Sequence, residues 1–160
     1  MTKPAETPGQ LLDIQRIYIK DVSLETPAVP EIFNKENWQP EANIEIEVKN
    51  KNLEQDVYEV ILIVTVTAKI EEKTVFLIEA HQAGIFAIAG FEEEQLDHIL
   101  GAYCPTVLFP YVRETISDLV SRASFPQLNL THVNFDALYF QEKENNVQTG
   151  SSSQEEKTKH

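Results

Sequence analysis

A chain of 160 residues, 42% hydrophobic and 24% charged, can bury one sizeable core. Its 26 acidic residues outnumber 13 Lys and Arg, for a net charge of -13; that field repels phosphate backbones and anionic lipid, excluding nucleic acid as a partner, and steers basic partners in. The start, "MTKPAETPGQLLD", lacks an apolar signal region, no run reaches the length of a membrane span, and the single cysteine, Cys104, cannot build a disulfide framework, so a cytoplasmic protein without direct membrane insertion is expected.

Residues 1–13 and 143–160 are polar, the latter opening "KENNVQTGSSSQ", and have too few apolar side chains to repay the entropy of ordering. They predict mobile tails around one domain spanning 14–142. Residues 1–13 and 141–160 each carry a net -1, so the acidity belongs to the folded part.

Within the domain the first half has a two-residue period. In "IQRIYIKDVSLE" (14–25) strict alternation puts Ile17 and Ile19 on one face and Tyr18, Val22 and Leu24 on the other. "ANIEIEVKN" alternates Ile44, Ile46 and Val48 with Asn43, Glu45 and Glu47, which predicts a half-exposed strand. "VYEVILIVTVTAKI" (57–70) is apolar on both faces from Val60 to Val66, as in a central strand. A charged turn, Glu71 to Lys73, joins it as a hairpin to "TVFLIEAHQAGIFAIAG" (74–90). Four strands without intervening helices predict an antiparallel sheet.

The period then lengthens. "EEEQLD" (92–97) places acids at a helix N-terminus. Leu96, Ile99, Leu100, Tyr103, Val107 and Tyr111 follow at spacings of three and four, beside a stripe of Leu108, Val112, Ile116, Leu119, Val120 and Ala123. So broad an apolar surface predicts contact with a second subunit as well as the sheet, or deeper burial within one subunit. Pro105 and Pro110 should bend this helix near Ala102–Cys104 and again near Val107. A short final helix is expected over 134–144, with Asn134 as its cap. The fold class is thus α+β: a four-stranded antiparallel sheet with a long kinked helix and a short C-terminal helix on one face.

Two connections are long and apolar. "PAVPEIFNKENWQP" (27–40) carries Ile32, Phe33 and Trp38, and "SFPQLNLTHVNF" (124–135) carries Phe125, Leu128, Leu130, Val133 and Phe135. They form either the rims of an apolar groove or covers for the core.

Catalytic chemistry finds little support. Cys104 would need a base, and His98, six residues earlier on the same helix, points roughly 240° away; a buried structural thiol is the simpler reading. There is no CxxC, HxH or HExxH, so no metal site is predicted. Gly84 and Gly90 belong to no phosphate-cradling loop, so no nucleotide and no other cofactor is expected. The residues predict binding, not catalysis.

The blocks "IQRIYIKDVSLETPAVPEIF", "NWQPE", "DVYEVILIVTVTA", "GIFAIAG", "LGAYCPTVLFPYVRETISDLVSRASFPQLNL" and "VNFDALY" together closely resemble the SecB family of bacterial protein-export chaperones, over about residues 14 to 140. The resemblance implies a homotetramer built as a dimer of dimers, in which the long helix supplies much of the contact between dimers. It also implies ATP-independent binding of non-native precursor proteins in the cytoplasm and their delivery to the ATPase SecA, or, as in some SecB-like proteins, dedication to a toxin-antitoxin partner. SecA docking in the family maps onto Asp21, Glu25, Leu77 and Glu79. Precursor binding maps onto Phe76, Ile78, Ala80 and Gln82 on the opposite face of the same strand, where Ile78 and Ala80 depart from the family's usual cysteine and valine. Trp38, Ile44, Ile46, Phe125 and Leu128 complete the implied precursor groove.

Overall fold

A computed structural model describes residues 9–155, with side chains described through Val147. Residues 1–8 and 156–160 of the expected tails lie outside the described residues. Four strands, β1 (Leu11–Glu25), β2 (Glu41–Glu54), β3 (Val57–Ile70) and β4 (Lys73–Ala89), form one antiparallel sheet in the order β1-β4-β3-β2. The helical segments after β4 are α1 (Glu93–His98), a π-turn (Ile99–Tyr103), α2 (Cys104–Arg122) and α3 (Phe135–Glu155). The α+β class and the sheet are those read from the sequence.

β3 and β4 are the centre of the sheet because they are apolar enough to be covered. Val60, Leu62, Val64 and Val66 of β3 and Ile78 and Phe86 of β4 are fully buried, with Leu108, Val112, Ile116 and Val120 of α2 closing the same core. At about 1.5–3 kcal/mol for each fully buried aliphatic or aromatic side chain, this layer anchors the fold. Gly84 permits the approach: a β-carbon there would lie 3.1 Å from Leu108 Cδ2. The β3–β4 hairpin turns on Glu71 (φ 50°) and Glu72 (φ 68°). Two successive left-handed residues are what a type I′ turn requires, and here no glycine supplies them.

β1 departs from strict alternation. Its pairing with β4 shifts by one residue between Ile14 and Arg16 and again between Ile19 and Asp21. Each β-bulge inserts one residue and reverses the parity of the residues after it. As a result Ile14, Ile17, Ile19, Val22 and Leu24 stand opposite Phe86, Gly84, Gln82, Ala80 and Ile78, all on the helix side. The expectation that Val22 and Leu24 oppose Ile17 and Ile19 is therefore corrected. The strand also begins at Leu11, which pairs with Ala89, three residues before the expected domain boundary.

The helix bend is a π-turn. Pro105 has no N–H and its ring would strike the carbonyl four residues back, at Gly101. One wider turn, closed by the Cys104 N–H on the Ile99 carbonyl, takes up that conflict and leaves Pro105 in the first turn of α2. Pro110, by contrast, lies within an unbroken α2. Pro110 and Thr106 are both exposed, so water can take the carbonyl freed by the second proline. Asn134 caps α3 as expected, its side-chain oxygen accepting from the Ala137 N–H at 3.1 Å. The helical backbone runs on to Glu155, past the predicted end at 144.

Candidate functional site

Two surfaces of opposite character lie on opposite sides of the sheet. Beyond the second bulge Asp21, Ser23 and Glu25 pair with His81, Glu79 and Leu77, and cross-strand partners share a face. Asp21, Glu25, Leu77 and Glu79 are therefore brought together on the outer face, away from the helices. Ile63, Thr65 and Thr67 of β3 and Glu47, Glu45 and Asn43 of β2 continue the same rows. Asp21, Glu25 and Glu79 are exposed and Leu77 is half-buried among them. Carboxylates around one apolar side chain favour a basic segment carrying an apolar residue. His81 Nε2, buried and without a hydrogen bond among the described residues, lies 3.7 Å from Glu79 Oε2.

Next to this row is the bulge itself. Lys20 Nζ meets Glu59 Oε1 at 2.8 Å, and the Tyr18 hydroxyl donates to Glu59 Oε2. Lys20 first, then Tyr18, hold the Glu59 carboxyl below its usual range in spite of its burial, while burial and the same carboxylate push the Tyr18 hydroxyl up to about 12.

The second surface is aromatic and centres on Phe125. Its ring lies 5.0 Å from Trp38, 5.6 Å from Phe33 and 5.6 Å from Phe76, spacings that favour aromatic pairs. Phe125 is fixed by the end of α2: its N–H reaches the Val120 carbonyl and the Ser124 N–H reaches that of Ser121, with Ser124 left-handed at φ 65°. This is a Schellman motif with serine in place of the usual glycine. The crossover segment presents Phe33 from within a short 3-10 turn, Glu31–Asn34, and Trp38 from the stretch that follows it. Ile32, Trp38 and Leu128 pack against the core, whereas Phe33 remains 50% exposed. Both readings of the long connections thus hold in part: they cover the core and leave an open aromatic edge.

Ile44 and Ile46 line a different groove, of about 440 Å³, between β2 and α3, with Leu138, Tyr139 and Lys143. α3 is fastened there by polar contacts. The Tyr139 hydroxyl donates to Asp97 Oδ2 at 2.5 Å, Lys143 Nζ approaches the same oxygen at 3.3 Å, and His98 Nε2 lies 2.7 Å from Asp136 Oδ1. The Tyr139 hydrogen bond, followed by Lys143, keeps the Asp97 carboxyl below its usual range.

Of the remaining expected precursor contacts, Phe76 is the floor of the aromatic cluster, and Ile78 and Ala80 are interior. Gln82 is also interior, and its amide donates to the Tyr18 carbonyl at 3.1 Å. Tyr18, Lys20 and Glu59 join the outer surface without having been expected there, whereas Phe33, beside Trp38 in a proline-rich apolar connection, was named only as part of that connection. Cys104 is fully buried, and burial pushes its thiol up to about 12, which disfavours a thiolate nucleophile. Among the described residues no group of three or more His, Cys, Asp or Glu could hold a metal ion, and no helix is long and apolar enough to cross a membrane.

A SecB-like chaperone of Mycobacterium tuberculosis, solved in complex with a ChAD peptide from the HigA1 antitoxin, matches this chain at a TM-score of 0.65 and 20% identity, covering 76% of this chain and 90% of its own. A protein of unknown function from Streptococcus agalactiae matches at a TM-score of 0.41 and 9% identity, covering 77% of this chain and 98% of its own. The family model described as preprotein translocase subunit SecB matches residues 5–146, a span that takes in all four strands, α1, the π-turn, α2 and the docked part of α3, and on it the chain belongs to the SecB family.

Proposed function

We propose that this protein is a non-enzymatic, ATP-independent cytoplasmic chaperone that holds unfolded precursor proteins and delivers them to SecA. The observation that carries this reading is the separation of the two surfaces. A half-open aromatic edge, Phe33, Trp38 and Phe125 over Phe76, takes apolar side chains of an extended client, with Leu128 packed on the same core, and the separate groove lined by Ile44 and Ile46 beneath α3 takes others. Such burial needs no particular sequence. The acidic outer face, Asp21, Glu25, Leu77 and Glu79, remains free for a basic segment of SecA while a client is held.

A homotetramer arranged as a dimer of dimers fits the apolar surface left over in one chain. Ile14, Ile19 and Val22 of edge strand β1 are 40%, 51% and 39% exposed on the helix side, and Tyr103 and Tyr111 stand out from the long helix. Faces of this kind are covered in stable oligomers.

In light scattering the protein should have about four times the chain mass of 18.2 kDa, and it should suppress aggregation of a reduced, unfolded client without nucleotide. Glu79→Lys should weaken SecA binding tenfold or more while leaving aggregation suppression intact. A monomer without effect on aggregation sinks the chaperone reading, and equal loss of both activities sinks the separation of surfaces.

A second reading, dedication to a toxin-antitoxin partner, draws on the antitoxin peptide bound by the mycobacterial SecB-like chaperone. Tight binding of one antitoxin segment by calorimetry, with no measurable SecA binding, would favour it.

A further inference from the structure

We propose that His81 makes docking at the acidic outer face proton-dependent: as a neutral ring it leaves Glu79 and Asp21 to a basic partner segment, and as an imidazolium it takes Glu79 for itself. The partner's identity as SecA rests on the reading given above; the coupling to protons does not. His81 stands within the set assigned to docking. It lies opposite Asp21 of β1, with Glu79 two residues along its own strand, and its Nε2 is 3.7 Å from Glu79 Oε2. That nitrogen is buried and has no hydrogen-bond partner among the described residues. A buried lone pair facing a carboxylate is unfavourable, whereas an imidazolium carries an N–H on both ring nitrogens and so presents one to Glu79. Glu79 is half exposed, and a rotation of its side chain closes the gap to a hydrogen bond. The His81 side chain is itself 24% exposed, so the ring exchanges protons with solvent.

The charged groups around the ring come from three strands. Asp21 and Lys20 lie on β1, Glu79 on β4, and Glu47 on β2 beyond Ile63, the uncharged β3 residue opposite His81. On the other side of His81 the face turns basic. Arg16, Lys49 and Lys51 stand in the next two rows around Glu59, whose carboxylate is bonded to Tyr18 and Lys20. His81 thus sits on the border between a basic band and the acidic patch. A proton on it carries the band one row into the patch and cancels a charge that attracts a cationic segment. By reciprocity, a cation docked at Glu79 and Asp21 expels that proton. Imidazole is the side chain whose charge ordinarily changes between about pH 5 and 8, so the coupling acts near neutrality.

The test measures dissociation constants of the full chain at about pH 7.8 and about pH 5.8, on either side of the ordinary imidazole value. Two probes are used: SecA, and an acetylated, amidated peptide of Lys, Arg and Leu, in which no group titrates over that range. Acidification should weaken the binding of either probe about fivefold more in the unaltered chain than in His81→Gln, within the tenfold per pH unit that one linked proton allows. His81→Lys, which fixes a cation at the same place, should bind the peptide weakly at both pH values. Equal acid losses in the unaltered chain and His81→Gln would overturn the proposal. So would tight binding of the peptide by His81→Lys, or a peptide that does not bind the unaltered chain at all. SecA that fails to bind the unaltered chain would overturn the docking reading alone, since the peptide still decides whether His81 couples this face to protons.

Discussion

A β-carbon added to Gly101 would lie 2.7 Å from Cδ2 of Tyr139. The absence of a side chain in the π-turn is what lets α3 settle on it and bring the Tyr139 hydroxyl to Asp97. Gly101→Ala gains about 1 kcal/mol of helix propensity. Against that gain, overpacking costs about 1–3 kcal/mol and displaces the ring. The expected result is faster amide exchange over 135–147 with β3 and β4 unchanged, and Tyr139→Ala should relieve the clash when combined with it. Unaltered exchange in the single variant would show that α3 does not depend on this contact.

Acid should loosen both polar clusters. The Asp97 and Glu59 carboxyls sit below their ordinary values in the folded chain, through Tyr139 and Lys20 respectively. A carboxyl depressed by folding binds its proton more readily in the unfolded chain, so unfolding takes up protons. The stability it confers is complete above its unfolded value, about pH 4, and fades as the pH falls through the folded value. Urea midpoints should therefore drop between about pH 5 and pH 3, and Glu59→Gln should flatten that slope. The Asp97 share should be the smaller, since its side chain is 56% exposed and screened by water. A slope identical in Glu59→Gln would place the acid sensitivity elsewhere.

Cys104 lies two positions beyond Ala102, in a stretch where Ala102, Cys104, Leu108 and Phe109 are all buried. With its thiol pushed up to about 12, almost none is ionised at neutral pH. A thiol reagent should label the native protein only as fast as it unfolds, and labelling should become immediate in denaturant. Cys104→Ala should cost on the order of 1 kcal/mol, about one buried methylene's worth, with aggregation suppression retained. Rapid labelling of the native chain would contradict this burial.

How far the sequence carried depends on whether a local pattern was decisive. Ile44, Ile46 and Val48 alternate without interruption and fall on one face; Val60 to Val66 are apolar throughout and lie at the centre. β1 misled because an extra residue in a strand has no residue signature: "YIKD" reads as alternation, and Lys20's omission from the pairing shows only in the register with β4. The prolines announced a bend, but the π-turn lies upstream of Pro105, because the clash falls on the carbonyl four residues back. The resemblance named Asp21, Glu25, Leu77 and Glu79 as one set, and the register places the four on one face. It did not reveal that Ile78, Ala80 and Gln82 are closed off inside a single chain, since burial of that face is decided by α2 and the connections.

Phe33 and Phe125 touch the same cluster at 5.6 Å yet should fail differently when truncated. Phe125 is 5% exposed at the centre, and Phe125→Ala should cost about 3–5 kcal/mol through the cavity it leaves. Phe33 is half exposed, so Phe33→Ala should change stability by under about 1 kcal/mol. Its loss removes the most accessible ring from the aromatic edge, and affinity for an unfolded apolar peptide should drop several-fold. Trp38, the sole tryptophan and stacked on Phe125 at 5.0 Å, gives a direct optical readout, since a peptide entering the cluster changes the water around the indole. The parent should show a shift in emission that saturates with peptide, and Phe33→Ala should move the midpoint to higher peptide concentration at unchanged Tm. An emission spectrum indifferent to peptide, together with parental affinity in Phe33→Ala, would remove the aromatic edge from the client-binding surface and leave the groove beneath α3 as the place to look.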